Sequence, residues 1–449
     1  MTSAKSASVS VPRRSNNPDT DPFYQPPAGF ASQKPGSILR ERSITASFFG
    51  LIPEPIETHQ LLYRTTAVNG SAIASVTTIF KPWFPKTDRF ISFQTAYDSS
   101  STSCVPSYQY QLGNPQTDLI AQLEFLIIQI YLLMGYIVVS PDYEGPEAAF
   151  APGRLAGMGV LDSMRAVANF KSTLGLNTTS PMIVGTGYSG GSIATGWAAS
   201  LHPTYAPELN IKGWTQGGTP ANLLGTLLNI DGTVFSGFGP DAIAGLSKSS
   251  TYGAQLGPII DEYFTSEGKS AISYTESNCA ISDLVNFFEK SVLSTDIQSL
   301  GDGLLQDPTI ASILAENVMG VVKDETPTAP VFVYHASQDE IIPYSNASTL
   351  VDSWCSNGAS VNFTTFASGG HITTEILGIV DVVEFVEAAF AGKTTSGCAH
   401  NTELSSALNP IALGAEIEPI LIDLVTILTT LGKSDSNISK NISILKNVV

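Results

Sequence analysis

Short apolar runs with strand character alternate along this chain with longer runs of helical period. Residues 60–66 and 72–80 are rich in β-branched and aromatic residues, and Asn69-Gly70 between them favours a tight hairpin turn. An antiparallel hairpin followed by alternating strands and helices predicts a mostly parallel α/β sheet flanked by helices. The later elements are predicted as strands at 89–94, 136–140, 181–185, 210–215, 330–335 and 360–366, and helices at 119–134, 157–174, 191–201, 344–355 and 373–390.

Three segments interrupt this alternation and set the predicted domain boundaries. Residues 1–37 contain several prolines without periodicity, which indicates an extended N-terminal arm. Residues 221–325 are too long for a plain loop and predict an inserted cap, which leaves 38–220 and 326–400 as the core. In the tail, 401–449, the apolar run 420–431 is either a helix packed on the core or a flap over an apolar pocket.

The balance of charge narrows the classes of partner. The 449 residues carry 22 Lys+Arg against 40 Asp+Glu, a formal net charge of −18. This acidic excess argues against a protein held to nucleic acid by phosphate contacts. Only 14% of the residues are charged while 43% are hydrophobic, which excludes intrinsic disorder and predicts a chain with a sizeable core.

Several features bear on the compartment. The four cysteines form no CxxC motif, so they are either paired in two disulfides or free and buried. No signal peptide is visible at the N-terminus, yet we expect an extracellular protein whose leader is missing from the chain. The apolar stretch 119–139 contains polar residues and divides at Gly135, which favours a soluble helix and strand over a membrane span. Candidate glycosylation sequons begin at Asn69, Asn177, Asn346, Asn362, Asn437 and Asn441.

One motif carries a nucleophile. Gly187-Tyr188-Ser189-Gly190-Gly191 matches G-x-S-x-G at a predicted junction of strand and helix. Such a turn exposes the serine Oγ, and the small residues around it let backbone and substrate approach. We therefore predict Ser189 as the nucleophile.

A serine nucleophile needs a base, and the chain contains only five histidines. His59 precedes the motif, His202 ends the helix that follows it, and His335 lies within a predicted buried strand. His371 follows the strand 360–366 in a Gly-rich loop, whereas His400 lies in the polar tail beside a cysteine. We therefore predict His371 as the base.

The acid and the oxyanion donors are predicted from neighbouring loops. Asp339 and Glu340 both follow the strand 330–335, and Asp339 is preferred because it comes first after the strand. The oxyanion requires two backbone N–H groups: that of Gly190, and one from Asp98 or a neighbour in the loop after 89–94. The sequence contains no H-E-x-x-H motif, no phosphate-binding loop and no dinucleotide fingerprint, so we predict no metal and no cofactor.

Beyond these motifs, several longer stretches resemble the fungal secretory lipase family up to about residue 395. The last 50 or so residues do not share this resemblance. The matching stretches are DPFY (21–24), LLYRTT (61–66), YDSSSTSCVPSY (97–108), DYEGPEAAF (142–150), GYSGG (187–191), YAPELNI (205–211), GGTP (217–220), HASQDEIIPY (335–344) and HITTEI (371–376).

The resemblance implies an α/β-hydrolase fold with a helical cap and a C-terminal flap. It also implies Ser189, Asp339 and His371 as the triad, and the amides of Asp98 and Gly190 as the oxyanion hole. The implied disulfides are Cys104–Cys279 and Cys355–Cys398. The implied activity is hydrolysis of triacylglycerols and other carboxylic esters, with acyl transfer to alcohols when water is scarce and transient contact with a lipid–water interface.

The residues alone predict a serine hydrolase, and the lipid substrate rests on the resemblance. A feruloyl-type esterase or a peptidase on the same fold is the alternative function. A non-enzymatic binding protein of this fold is a further alternative, which the intact Ser189, Asp339 and His371 disfavour.

Overall fold

The computed structural model describes residues 16–115, 117–404, 407–409 and 411–438. Within them, ten strands form one sheet in the order β1-β4-β5-β7-β6-β8-β9-β10-β11-β12, and β2 and β3 pair separately. The strands are β1 Ile38–Ile44, β2 Ser47–Phe48, β3 Ile52–Pro53, β4 Glu57–Thr66, β5 Ala72–Lys81, β6 Arg89–Gln94, β7 Ile137–Pro141, β8 Met182–Tyr188, β9 Ile211–Gly217, β10 Val331–Ala336, β11 Val361–Phe366 and β12 Ala399–Glu403.

The helices lie between these strands and in one long insertion. They are α1 Pro106–Gln109, α2 Leu119–Leu133, α3 Gly153–Asn169, α4 Lys171–Leu174, α5 Ser189–Tyr205, α6 Leu223–Ile230, α7 Phe238–Leu246, α8 Gly253–Tyr263, α9 Ser266–Thr275, α10 Ala280–Asn286, α11 Pro308–Glu316, α12 Tyr344–Ser356, α13 His371–Leu377, α14 Ile379–Phe390 and α15 Glu418–Ile438. Among the described helices, none is long and apolar enough to span a membrane.

The pairing of neighbouring strands changes once across the sheet, from antiparallel to parallel. β1, β4, β5 and β7 are antiparallel neighbours, whereas the strands from β7 to β12 run parallel to one another. Parallel strands require crossover connections, so helices cover both faces and bury strands such as β7 and β10 along their whole length. The loops that follow β6, β8, β10 and β11 therefore meet at one edge of the sheet.

The predicted elements agree with the structure in order and differ at their ends. The predicted helices 157–174 and 373–390 each consist of two helices, α3 with α4 and α13 with α14. β8 continues to Tyr188 because its backbone pairs with β9 up to Gly217. The segment 221–325 contains helices α6 to α11 and short 3₁₀ turns, with no named strand among these residues.

Both predicted terminal segments contact the sheet. The described part of the arm, from residue 16, packs on the sheet edge, where Phe23 is buried and Asp21 forms an ion pair of 2.6 Å with Arg42. β12 crosses the predicted boundary between 400 and 401, so the sheet extends to Glu403. Residues 1–15 and 439–449 lie outside the described residues.

The described part of the tail, within residues 401–438, does not line the cavity described below. Leu421 and Leu424 of α15 are fully buried in a cluster with α2 and α13. The described part of the tail therefore favours the helix packed on the core over the flap, which stays a prediction.

Candidate active site

Ser189 stands on a sharp turn between β8 and α5. Its φ is +51°, a left-handed value that non-glycine residues seldom adopt and that is held here by the surrounding structure. A Cβ at Gly191 would lie 2.0 Å from the carbonyl oxygen of Gln94, so only glycine lets α5 approach the end of β6. The predicted turn therefore exists and presents Ser189 to the cavity.

The three predicted triad residues meet through their side chains. Nε2 of His371 lies 2.8 Å from Oγ of Ser189, and its Nδ1 lies 2.7 Å from Oδ2 of Asp339. These residues follow three different strands, β8, β10 and β11, whose ends lie at the same edge of the sheet. The geometry lets His371 accept a proton from Ser189 while Asp339 orients the imidazole.

Asp339 is surrounded by hydrogen-bond donors. Its Oδ1 accepts from the backbone N–H groups of Ile341 at 3.0 Å and Ile342 at 2.8 Å. Nε2 of His335 lies 3.2 Å from Oδ2 of Asp339 and 3.0 Å from the carbonyl oxygen of Ile342. Although burial alone would raise the pKa of Asp339, the charge of His371 and the histidine hydrogen bonds hold it well below its usual value.

The electrostatics of His371 follow from the same contact. Burial alone would lower the pKa of His371, but the charge and hydrogen bond of Asp339 outweigh it and raise the pKa. Glu340, the alternative acid, has a different position: its Oε2 accepts from the backbone N–H of His371 at 2.9 Å. The adjacent acids Asp339 and Glu340 thus contact the ring and the backbone of His371, respectively.

The predicted oxyanion residues lie beside the nucleophile. Asp98 has a φ of +43° and lines the cavity together with Ser189 and Gly190. Its carboxyl group lies so close to Gly190 that a Cβ there would be 1.6 Å from Oδ1. Burial raises the pKa of Asp98 to about 7, against the opposing effects of His371 and its own backbone N–H.

An apolar cavity opens at Ser189 and extends into the cap. Apart from Asp98, Ser189, Thr226 and Ser247, its lining consists of apolar residues and glycines. Helices α6, α7, α8 and α11 contribute side chains at helical spacing, for example Leu223, Leu227 and Ile230 on α6. A cavity of this composition suits a hydrocarbon chain and offers few polar partners to a polar ligand.

Two disulfides among the described residues join segments around the site. Cys104 is bonded to Cys279, which joins the loop after β6 to the start of α10, and Cys355 is bonded to Cys398 beside β12. This is the pairing that the resemblance implies. His400, the histidine set aside above, lies on the exposed edge strand β12.

The six sequons differ in exposure. Asn69 and Asn177 are exposed, and Asn362 is half-buried, with its Oδ1 accepting from Asn401. Asn346 is only 8% exposed and donates to the carbonyl oxygen of Asn222 and to Thr226, so a glycan there would break these contacts. These contacts disfavour glycosylation at Asn346, which stays a prediction. Asn441 and the side chain of Asn437 lie outside the described residues.

Sequence reasoning missed four groups near the triad. His335 was set aside as a strand residue, yet it contacts Asp339. Glu124 and Glu375 lie behind the site, and Tyr188 donates to the carbonyl oxygen of His371 at 2.5 Å. For two of these groups the sequence carried a signal. Glu124 is a carboxyl group inside the apolar run of α2, and Glu375 lies one helical turn after His371.

Comparison with known proteins decides the family. The sequence model of the secretory lipase family matches residues 110–397. The chain belongs to the secretory lipase family. This secretory lipase is 41% identical over 418 residues to a secreted triacylglycerol lipase of Malassezia furfur, covering 92% of this chain and 84% of that one. It is 36% identical over 403 residues to Lipase 6 of Candida albicans, covering 88% and 86%.

A solved structure extends the comparison to the fold. The secretory lipase superposes on Candida antarctica lipase A in its closed state with a TM-score of 0.82 and 31% identity, over 90% of this chain and 95% of that one. The α/β-hydrolase fold is therefore established for this chain.

Proposed function

We propose that this secretory lipase is a secreted enzyme that hydrolyses triacylglycerols and other carboxylic esters through an acyl-enzyme. The observation that carries the proposal is the hydrogen-bonded series Ser189–His371–Asp339 at the mouth of an apolar cavity. Curated relatives are named secreted triacylglycerol lipases, and two disulfides agree with an oxidising compartment.

The chemistry follows from the positions of the groups. Oγ of Ser189 attacks the ester carbonyl carbon while Nε2 of His371 takes its proton, and the backbone N–H groups of Asp98 and Gly190 donate to the oxyanion. His371 then returns the proton to the leaving alcohol as its C–O bond breaks. Water, activated by His371, attacks the acyl-enzyme and releases the fatty acid. Where an alcohol replaces that water, the same steps transfer the acyl group.

The substrate class follows from the cavity. The acyl chain would lie among the apolar side chains of α6, α7, α8 and α11. Each methylene of that chain buried there contributes roughly 0.8 kcal/mol to binding. On α6, Leu227 lines the cavity while Leu228 is 57% exposed, so this helix would also contact a lipid–water interface transiently.

The test combines one substitution with a series of substrates. Ser189→Ala should reduce nitrophenyl ester hydrolysis by at least about 1000-fold because no nucleophile remains. Ser200→Ala, on the same helix and with an Oγ that accepts and donates no hydrogen bond, is the matched control and should keep wild-type activity. Undiminished turnover by Ser189→Ala would overturn the assignment.

The series of acyl lengths separates the lipase from its alternatives. A lipase should maintain or increase kcat/KM from short to long acyl chains, because the cavity buries the added methylenes. Activity confined to short acyl chains would instead indicate a feruloyl-type esterase. Preference for an aminoacyl amide would indicate a peptidase.

A further inference from the structure

Two buried carboxyl groups face each other behind the active site. Glu124 of α2 is 1% exposed and Glu375 of α13 is 8% exposed, and their side chains are hydrogen-bonded to each other. Two carboxylates cannot form that bond, so one of the two groups must carry a proton. The triad mechanism uses neither group. We refer to Glu124 and Glu375 as the acid pair.

Each member of the acid pair is attached to a different part of the catalytic machinery. Oε2 of Glu124 accepts from the backbone N–H of Ala96 at 2.5 Å, two residues before Asp98 in the oxyanion loop. Glu375 follows His371 by four positions, one turn along α13 and therefore on the same side of the helix. The bond within the acid pair thus joins the oxyanion loop to the helix that begins with the base.

Among the described residues, the charged groups found to act on the acid pair include no lysine and no arginine. The charged groups that act on it are Asp98 and His371. The tyrosines that respond to its charge are Tyr110, Tyr143, Tyr188 and Tyr334. Helix α15, which packs on α13, contributes Leu421 and Leu424 to the shared cluster and carries Asp423 on its exposed side.

Burial therefore determines the protonation of the acid pair. It raises the pKa of Glu375 to about 7 and that of Glu124 well above its usual value, with Asp98 raising both further. Once the acid pair has lost both protons, the two buried carboxylates would repel each other. Repulsion would push the oxyanion loop and α13 apart.

We propose that Glu124 and Glu375 share a proton and thereby position the oxyanion loop relative to His371 in the catalytic reaction. This inference rests on the proposed function, since it concerns the same site. The acid pair touches no substrate; it acts through Ala96 and α13, and its two members are positioning residues. Activity then depends on a proton that is never transferred to the substrate.

The decisive variant is Glu375→Gln. An amide N–H can donate to an ionised Glu124 at any pH, so the bond persists without a titrating proton. We expect wild-type kcat/KM on a short soluble ester to fall at alkaline pH, where the acid pair loses its last proton, and the fall in Glu375→Gln to move upward by at least about one pH unit. At pH 5–6 the Gln variant should keep kcat within about threefold of wild type.

Glu375→Ala removes the bond instead of preserving it. We expect kcat to fall by roughly 10- to 100-fold at pH 6, since small displacements of catalytic groups cost rates of this order, with KM within about twofold. Recovery of kcat by Gln but not by Ala separates positioning from packing. The midpoint of thermal unfolding, measured for both variants, verifies that each is folded.

A matched control uses another buried carboxyl group of similar pKa. Burial raises the pKa of Asp142 to about 7, but its side chain contacts Ser107 rather than the triad or the oxyanion loop. Asp142→Asn should leave the pH profile of kcat/KM unchanged. An equal shift in Asp142→Asn and Glu375→Gln, or no shift in Glu375→Gln, would overturn the inference.

The outcome also separates this inference from the proposed function. If wild type hydrolyses esters through Ser189 and Glu375→Gln keeps the wild-type pH profile, only the positioning role fails. If Ser189→Ala retains activity, the proposed function fails regardless of the acid pair.

Discussion

Asp339 and the acid pair show how similar carboxyl groups reach opposite protonation states around one histidine. The side chain of Asp339 is fully buried and that of Glu375 nearly so, and both lie within a few ångströms or one helical turn of His371. Asp339 receives hydrogen bonds from two backbone N–H groups and two histidines, and its pKa falls. Glu375 faces mainly another carboxyl group, and its pKa rises.

The difference teaches that burial alone does not decide the charge of a carboxyl group. Donors aimed at the carboxylate outweigh its desolvation, and without them the group retains its proton. In the proposed mechanism the charged Asp339 orients the base, whereas the acid pair keeps a proton behind the oxyanion loop. A negative charge near the oxyanion would oppose the charge that develops in the transition state.

The largest effect is expected from Asp339→Asn. An asparagine keeps the shape but removes the charge and presents the wrong hydrogen-bonding group to Nδ1 of His371, so kcat should fall by about 10⁴-fold. Loss of the Asp339 charge also lowers the pKa of His371, so the ascending limb of kcat/KM should move to lower pH. A loss of less than about tenfold, or an unmoved limb, would contradict the role of Asp339.

The pH dependence of stability tests the buried carboxyl groups whose pKa values are raised. Burial raises the pKa values of Asp98, Asp118 and Glu375 to about 7, about 8 and about 7, whereas unfolded carboxyl groups titrate near about 4. The folded state therefore binds more protons, and the free energy of unfolding should fall as pH rises from about 4 to 8. Each group contributes up to about 1.4 kcal/mol per pH unit.

Thermal unfolding followed at a series of pH values measures this slope. The midpoint should be higher at pH 5 than at pH 8, and Glu375→Gln should flatten the change. Asp339 has the opposite sign: its stabilisation is present above about pH 4 and lost as pH falls below it. A midpoint that rises steadily from pH 5 to pH 8 would show that the buried carboxyl groups are ionised.

The smallest effect is expected at His335. His335→Leu removes one donor to Asp339 at similar volume, while His371, Ile341 and Ile342 continue to donate. Loss of a single hydrogen bond to a charged group amounts to about 1.5 kcal/mol, so kcat/KM should fall roughly tenfold. A loss as large as that of Asp339→Asn would mean that His335 alone keeps Asp339 ionised.

Sequence identified the three residues of the proposed triad because each follows a strand with a strong apolar pattern. Ser189 lies in a motif with its own structural requirement, and His371 and Asp339 follow β11 and β10 directly. The bounds of helix α2 were also predicted closely, and in the structure its N-cap Asp118 accepts from Ile120 and Ala121. These are features that local pattern determines.

The parts that sequence missed depend on contacts between distant segments. β12 is an exposed polar strand, AHNTE, whose register is set by pairing with β11 and by the Cys355–Cys398 bond rather than by hydrophobic pattern. The bond between Glu124 and Glu375 joins positions 251 residues apart, and no local signal connects them. The position of α15 likewise depends on the surfaces of α2 and α13.

Covalent labelling by an active-serine phosphonate tests the central claim most directly. The reagent reports whether one serine is activated by its surroundings, independently of any ester substrate. We predict that wild type gains the mass of one phosphonyl group, that peptide mapping places it on Ser189, and that Ser189→Ala gains none. Labelling at another serine, or no labelling of the active wild-type enzyme, would contradict the account.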